Sequence, residues 1–204
     1  MAHRSNSQRP LLRWTGCCFA LALACAFALP ASSATLSHSG TFADDGSNPD
    51  SAPDTFTVTN AGISDAEILT IVINFATATT PPVEFDDTPF AFVAGAGAAA
   101  TGYASQVTTT GTLTMNFTDF DAGESFTFTI DVDDNNAVVQ GVRMALSQVT
   151  ATFDIFGGAD VTAAMADGGG NTANWTATVV PEPSTLSMLT LGLLGLAWEG
   201  RRRR

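Results

Sequence analysis

The stretch DVDDNN, residues 131–136, gathers Asp131, Asp133, Asp134, Asn135 and Asn136 within one short run. Carboxylate and amide oxygens of this kind are the donors that calcium takes. Acids at the first and third positions repeat the opening of an EF-hand loop. The likeness stops there, because Asn136 stands where the turn glycine belongs and Val142 where the bidentate glutamate belongs. The stretch therefore predicts, at most, a structural calcium held by Asp131, Asp133 and Asp134, and no EF-hand. A plainer reading puts Asp131 and Asp133 on the solvent face of a strand, with Asp134–Asn136 as a hairpin turn. ADDGSNPD, with Asp44, Asp45, Asn48 and Asp50, is a second and weaker oxygen-rich run.

Groups for catalysis are scarce. Between Thr35 and Val180 the chain offers His38, Tyr103, no cysteine and no lysine. A Ser-His-Asp arrangement would have to use His38, and no serine stands in a G-x-S-x-G setting. Zinc wants more imidazole or thiolate than is present. The acids offer many pairs for glycoside chemistry, but nothing selects one. The expectation is a non-enzymatic protein. A carbohydrate-binding module is the alternative, with Trp175 or Tyr103 as the sugar platform. Against Trp175 stands its alternation in phase with Ala177 and Val179, which assigns it to a core.

Charge narrows the partners. Setting Glu182 and Glu199 aside, eighteen of the twenty acids lie between Thr35 and Val180, opposed by Arg143 alone, for a formal −17. Such a body repels phosphates and anionic lipid headgroups, which excludes nucleic acid as a partner.

The elements that would position these groups repeat with a period of two. In ESFTFTIDVD, Phe126, Phe128, Ile130 and Val132 alternate with Thr127, Thr129, Asp131 and Asp133. GTLTMNFT, QVTATFDIF, NWTATVV and DTFTVTN alternate likewise. EILTIVINFA has little polar face and reads as a central strand covered on both sides. Turn-rich pieces such as ATTPPVEFDDTP, DFDAGE and ADGGGN separate the runs, VAGAGAAATGYA reads as a loop, and no amphipathic helix is evident. The fold class predicted is all-β: an antiparallel β-sandwich of about eight strands, immunoglobulin-like or jelly-roll-like, over residues 35–179.

Both ends differ from this body. Residues 1–34 carry Arg4, Arg9 and Arg13, an apolar run from Trp14 to Leu29, then Ser32 and Ala34 at the −3 and −1 positions of a signal-peptidase site. That is the pattern of a secretory signal peptide. Cys17, Cys18 and Cys25 leave with it, so core packing or bound ions must stabilise the remainder. At the other end, Leu186–Trp198 is apolar and is followed by Arg201, Arg202, Arg203 and Arg204. As a helix those residues span roughly 20 Å, short of the ~30 Å hydrocarbon core, so the segment is a marginal transmembrane anchor. The arginines stay cytoplasmic by the positive-inside rule and Trp198 suits the interface.

The tail VPEPSTLSMLTLGLLGLAWEGRRRR closely resembles the PEP-CTERM sorting signal: the triplet Pro181-Glu182-Pro183, a short hydrophobic helix, a terminal arginine cluster. Glu199 between helix and arginines is a departure. The resemblance covers about the last 25 residues, 180–204. It implies export across the inner membrane of a Gram-negative bacterium and recognition there by an exosortase. Transient anchoring and delivery to the cell surface or an exopolysaccharide matrix would follow. The two prolines keep the triplet extended and out of any ladder or helix, which leaves Glu182 presentable to an enzyme.

Overall fold

Alternation turns into strands wherever the branched and aromatic residues of one phase can reach a common interior. The structure, a computed structural model, describes residues 35–46, 53–62, 65–75, 83–86, 90–133, 141–155 and 157–180, with Gly192 and Leu196. The strands are β1 (Leu36–Ala43), β2 (Asp54–Asn60), β3 (Ile68–Asn74), β4 (Glu84–Asp86), β5 (Val93–Ala94), β6 (Ser105–Thr109) and β7 (Thr112–Asn116). They continue with β8 (Ser125–Asp133), β9 (Gln148–Phe153), β10 (Ala159–Ala164), β11 (Ala166–Gly169) and β12 (Thr172–Val179). A single helical turn, α1 (Gly141–Met144), precedes β9.

Two sheets result, with every pairing antiparallel. The first runs β11-β12-β1-β2-β8-β4, with β5 also on β8; the second runs β10-β9-β3-β7-β6. Phe42, Phe56 and Phe128 from the first and Ile71, Met115 and Phe153 from the second are fully buried in one core. Phe56 stacks on Phe128 with ring centroids 5.0 Å apart, and Phe42 lies 4.9 Å from Phe56. Each such side chain contributes about 1.5–3 kcal/mol on burial. All the strands lie in one compact unit, Ala34–Pro181.

Two buried groups tie this interior together. His38 projects inward from β1, and its Nε2 donates to the Val161 carbonyl on β10 at 2.9 Å, linking the two sheets. That bond assigns the proton to Nε2, and among the described residues the buried Nδ1 finds no partner. Trp175, 3 % exposed, lies across Gly40, where a Cβ would collide with the indole and with the Thr57 carbonyl. Glycine is required there by space.

The outward phase has its own regularity. Across β12, β1, β2 and β8 the register aligns Thr176, Ser39, Thr59 and Ser125 in one row, and Asn174, Thr41, Thr57 and Thr127 in the next. A third row holds Thr172, Ala43, Thr55 and Thr129. Hydroxyl contacts join neighbours within rows: Thr59 to Ser125 at 2.7 Å and Thr57 to Thr127 at 3.2 Å.

Several expectations are corrected. Among the described residues twelve strands form rather than about eight, in part because β4, β5 and β11 are short ladders built from stretches that read as turns or loop. β3 is central, between β9 and β7, but covered on one side only: Leu69 is 37 % exposed and Thr70 and Val72 are half-buried. A register shift between Ile68 and Thr70 turns Leu69 outward. Among the described residues no helix is long and apolar enough to cross a membrane. The predicted sorting helix, Leu186–Trp198, lies outside the described residues except for Gly192 and Leu196, which are helical, and the predicted signal peptide lies wholly outside them.

Candidate functional site

The polar groups that the fold brings together are acids at one end of the first sheet. Asp54 opens β2 in phase with Phe56 and Val58, so its side chain points inward, and it is 4 % exposed. Its Oδ1 accepts from the Asp45 amide at 3.3 Å and its Oδ2 from the Val132 amide at 3.0 Å. Asp44, Asp45 and Asp54 bring carboxylate oxygens within 4.8 Å of one another. Asp44 is placed by the Asn171 turn, its amide donating to the Asn171 carbonyl at 3.0 Å and its Oδ1 accepting from the Gly46 amide at 2.6 Å.

Electrostatics make Asp54 unusual. Burial pushes its pKa up to about 8, and the negative charge of Asp44 adds to this, with a smaller push from Asp131. The amide bonds from Asp45 and Val132 pull the other way without winning. Near neutral pH the carboxyl holds a proton unless a cation replaces it. Asp44, Asp45 and Asp54 supply a hard, all-oxygen donor set, which fits calcium or magnesium better than a transition metal.

Of the two predicted oxygen-rich runs, ADDGSNPD brings Asp44 and Asp45 to Asp54, whereas DVDDNN reaches Asp54 only through the Val132 amide and the charge of Asp131. Asp131 is not on the solvent face: it is 3 % exposed, opposite Asp86 on β4, with its amide donating to the Phe90 carbonyl at 3.4 Å. Asp133 is half-buried opposite Glu84. Asp134, Asn135, Asn136, Asn48 and Asp50 lie outside the described residues. Glu84, Asp86 and Asp133 line a shallow cleft with Phe85 and Thr110. A further trio, Glu67, Asp119 and Asp121, also brings oxygens within 4.8 Å, but on the open surface.

Sequence reasoning missed Asp54. The signal was available: an acid in phase with the buried positions of an alternating strand must face the core.

Neither predicted sugar platform is fully exposed. Trp175 is buried, and the half-buried Tyr103 ring stacks on Phe126 at 5.1 Å with its hydroxyl donating to Gln106 Oε1. His38, the one imidazole of the body, is buried and held low in pKa by desolvation.

Among known proteins, residues 179–204 match the family described as the PEP-CTERM protein-sorting motif. The match takes in Pro181, Glu182, Pro183 and Arg201–Arg204, which lie outside the described residues. No curated protein and no solved structure matches the chain.

Proposed function

We propose that the chain is an exported, non-enzymatic protein of the cell surface or extracellular matrix, sorted by an exosortase through its C-terminal tail. The observation that carries this is the match of residues 179–204 to the sorting motif. In this reading a signal peptidase removes residues 1–34, the apolar segment and Arg201–Arg204 hold the chain at the inner membrane, and the exosortase acts near Pro181–Pro183. The β body, an immunoglobulin-like or jelly-roll-like sandwich, is the cargo.

The absence of an enzymatic role is supported by chemistry rather than by fold. His38 is packed into the core with its one hydrogen bond spent on Val161, so it is not available to a substrate. Asp54, whose pKa burial pushes up to about 8, is likewise enclosed. Stability without disulfides then falls to the core and, in a second part of this reading, to calcium held by Asp44, Asp45 and Asp54. The approach of Asp44 and Asp45 to the buried Asp54, with carboxylate oxygens within 4.8 Å of one another, favours it.

The deciding experiment is mass spectrometry of the protein recovered outside the cell. A C-terminus near Pro181–Pro183 is the expected result. Recovery of an extracellular form that still carries Leu186–Arg204 would overturn the sorting reading.

A further inference from the structure

We propose that the outer face of the first sheet, the three rows across β12, β1, β2 and β8, binds a neutral, extended polysaccharide. The inference rests on the exported-surface reading only for where such a ligand is met. The binding chemistry belongs to the body.

The face is uncharged in a body that carries −17. Aside from Asn174 and Ala43 its twelve positions are threonine or serine, and no aspartate or glutamate interrupts the rows. The acids sit instead in loops and at strand ends, as with Asp44, Asp45 and Asp121. An anionic glycan or lipid surface approaching this face meets that acidic rim and is repelled, whereas a neutral one is not. Hydroxyls both donate and accept, which is the bonding capacity of sugar hydroxyls, and the threonine methyls offer apolar contact to sugar C–H faces. Because Thr57–Thr127 and Thr59–Ser125 already contact each other, their rotamers are fixed before a ligand arrives, which lowers the ordering cost of binding.

Two competing occupants fail on size and shape. Four strands at ~4.8 Å and about six residues at ~3.4 Å make a patch of roughly 400 Å². A stable protein dimer needs about 800 Å² from each partner, and two copies would also oppose their acidic rims. A rigid lattice such as ice needs a flat face, but a twist of about 20–25° per strand accumulates to roughly 60–75° over three strand intervals. A glycan chain can follow that twist, bonding along a row or crossing between rows.

The test uses the full-length protein and insoluble polysaccharides of known charge: amorphous cellulose and cross-linked dextran as neutral probes, alginate as the anionic one. Retention on a neutral probe, unchanged by added salt, is expected. The triple variant Thr41→Val, Thr57→Val, Thr127→Val removes hydroxyls while keeping shape, and should weaken retention about tenfold. Thr57→Ser, which keeps the hydroxyl, and Thr114→Val with Thr150→Val on the other sheet should leave it unchanged. If the triple variant does not fold, Thr41→Val with Thr176→Val, at exposed positions, takes its place.

The proposal is overturned if no neutral probe retains the protein, if the valine variants bind as well as the parent, or if alginate is preferred. It is equally overturned if the variants abolish a dimer or an inhibition of ice growth while glycan retention is absent. None of these results touches the C-terminal mass measurement, so the two readings fail separately.

Discussion

The Asp54 carboxylate accepts the Val132 amide at 3.0 Å, so the first residue of β2 is tied through its side chain to the far end of β8. The backbone register already pairs Asp54 with Ile130. The side-chain bond extends the ladder past its last backbone pair, using a carboxyl that burial and Asp44 drive towards neutrality.

Removing the charge should therefore help at alkaline pH. With calcium chelated, Asp54→Asn is expected to lose less stability than the parent between pH 6 and pH 9, since its side chain does not have to ionise, though its amide nitrogen cannot accept the second backbone N–H. Urea unfolding at pH 6 and pH 9 checks this. A variant that loses as much stability as the parent over that range would show that Asp54 does not ionise there.

Calcium should reverse the sign. A cation at Asp44, Asp45 and Asp54 stabilises the native state by about 2.7 kcal/mol when its concentration is a hundred times the dissociation constant. Melting in calcium and in chelator is expected to differ for the parent and to coincide for Asp54→Asn. Coincident curves for the parent would end the calcium reading.

The pH dependence of stability has a definite shape. Asp54 has a folded pKa near 8 against an ordinary value of 3.8, so its contribution is fully present below the ordinary value and is lost as pH rises through about 8. His38 has a folded pKa below its ordinary 6.5, so stability is lost as pH falls below 6.5. In chelator, stability should climb as pH drops from 8 to about 6.5 and then flatten while the two one-proton slopes cancel. His38→Gln should turn the flat part into a continued climb, read by thermal melts across pH 5.5–8. An unchanged profile in that variant would exclude His38 as the opposing group.

Gly40 is fixed by Trp175. Gly40→Ala drives a methyl into the indole and the Thr57 carbonyl and should cost about 3 kcal/mol. Trp175→Phe in the same chain should recover part of the loss, measured as a shift in the denaturation midpoint. Additive losses would mean that the backbone contact, rather than the indole, sets the limit.

The tail should act as a unit. Pro181→Ala with Pro183→Ala, or Arg201–Arg204 changed to serine, is expected to keep the protein with the envelope fraction, while Thr57→Val alone leaves export unchanged. Quantifying the protein in envelope and medium decides it. Normal release of both tail variants would show that the motif is dispensable.

Much of the fold was legible because strand alternation is local. Phe126, Phe128 and Ile130 read as inward-facing, and they are buried; Trp175 read as core from its phase with Ala177, and it is. Asp131 was misread because its phase with Thr127 and Thr129 is also local, while the backbone it pairs with, at β4 and Phe90, lies some forty residues earlier. β4 itself is three residues inside a stretch full of prolines and acids, and only pairing with β8 makes it a strand. The assembly at Asp54 was hidden for a related reason: Asp44 is brought beside Asp54 by the register of β1 on β2, and Asp131, far along the chain, only by the register of β2 on β8.

The first strand also has the last one as a neighbour: Leu36 pairs with Val179 and Ala43 with Thr172. One flank of β1 can be satisfied early by β2, but the other stays open until the final strand arrives. A domain wired this way folds late in its own synthesis, since its closing contacts span nearly its whole length. In the proposed export route this delay would be useful, since a body that closes only on its final strand would stay pliable until that strand has emerged.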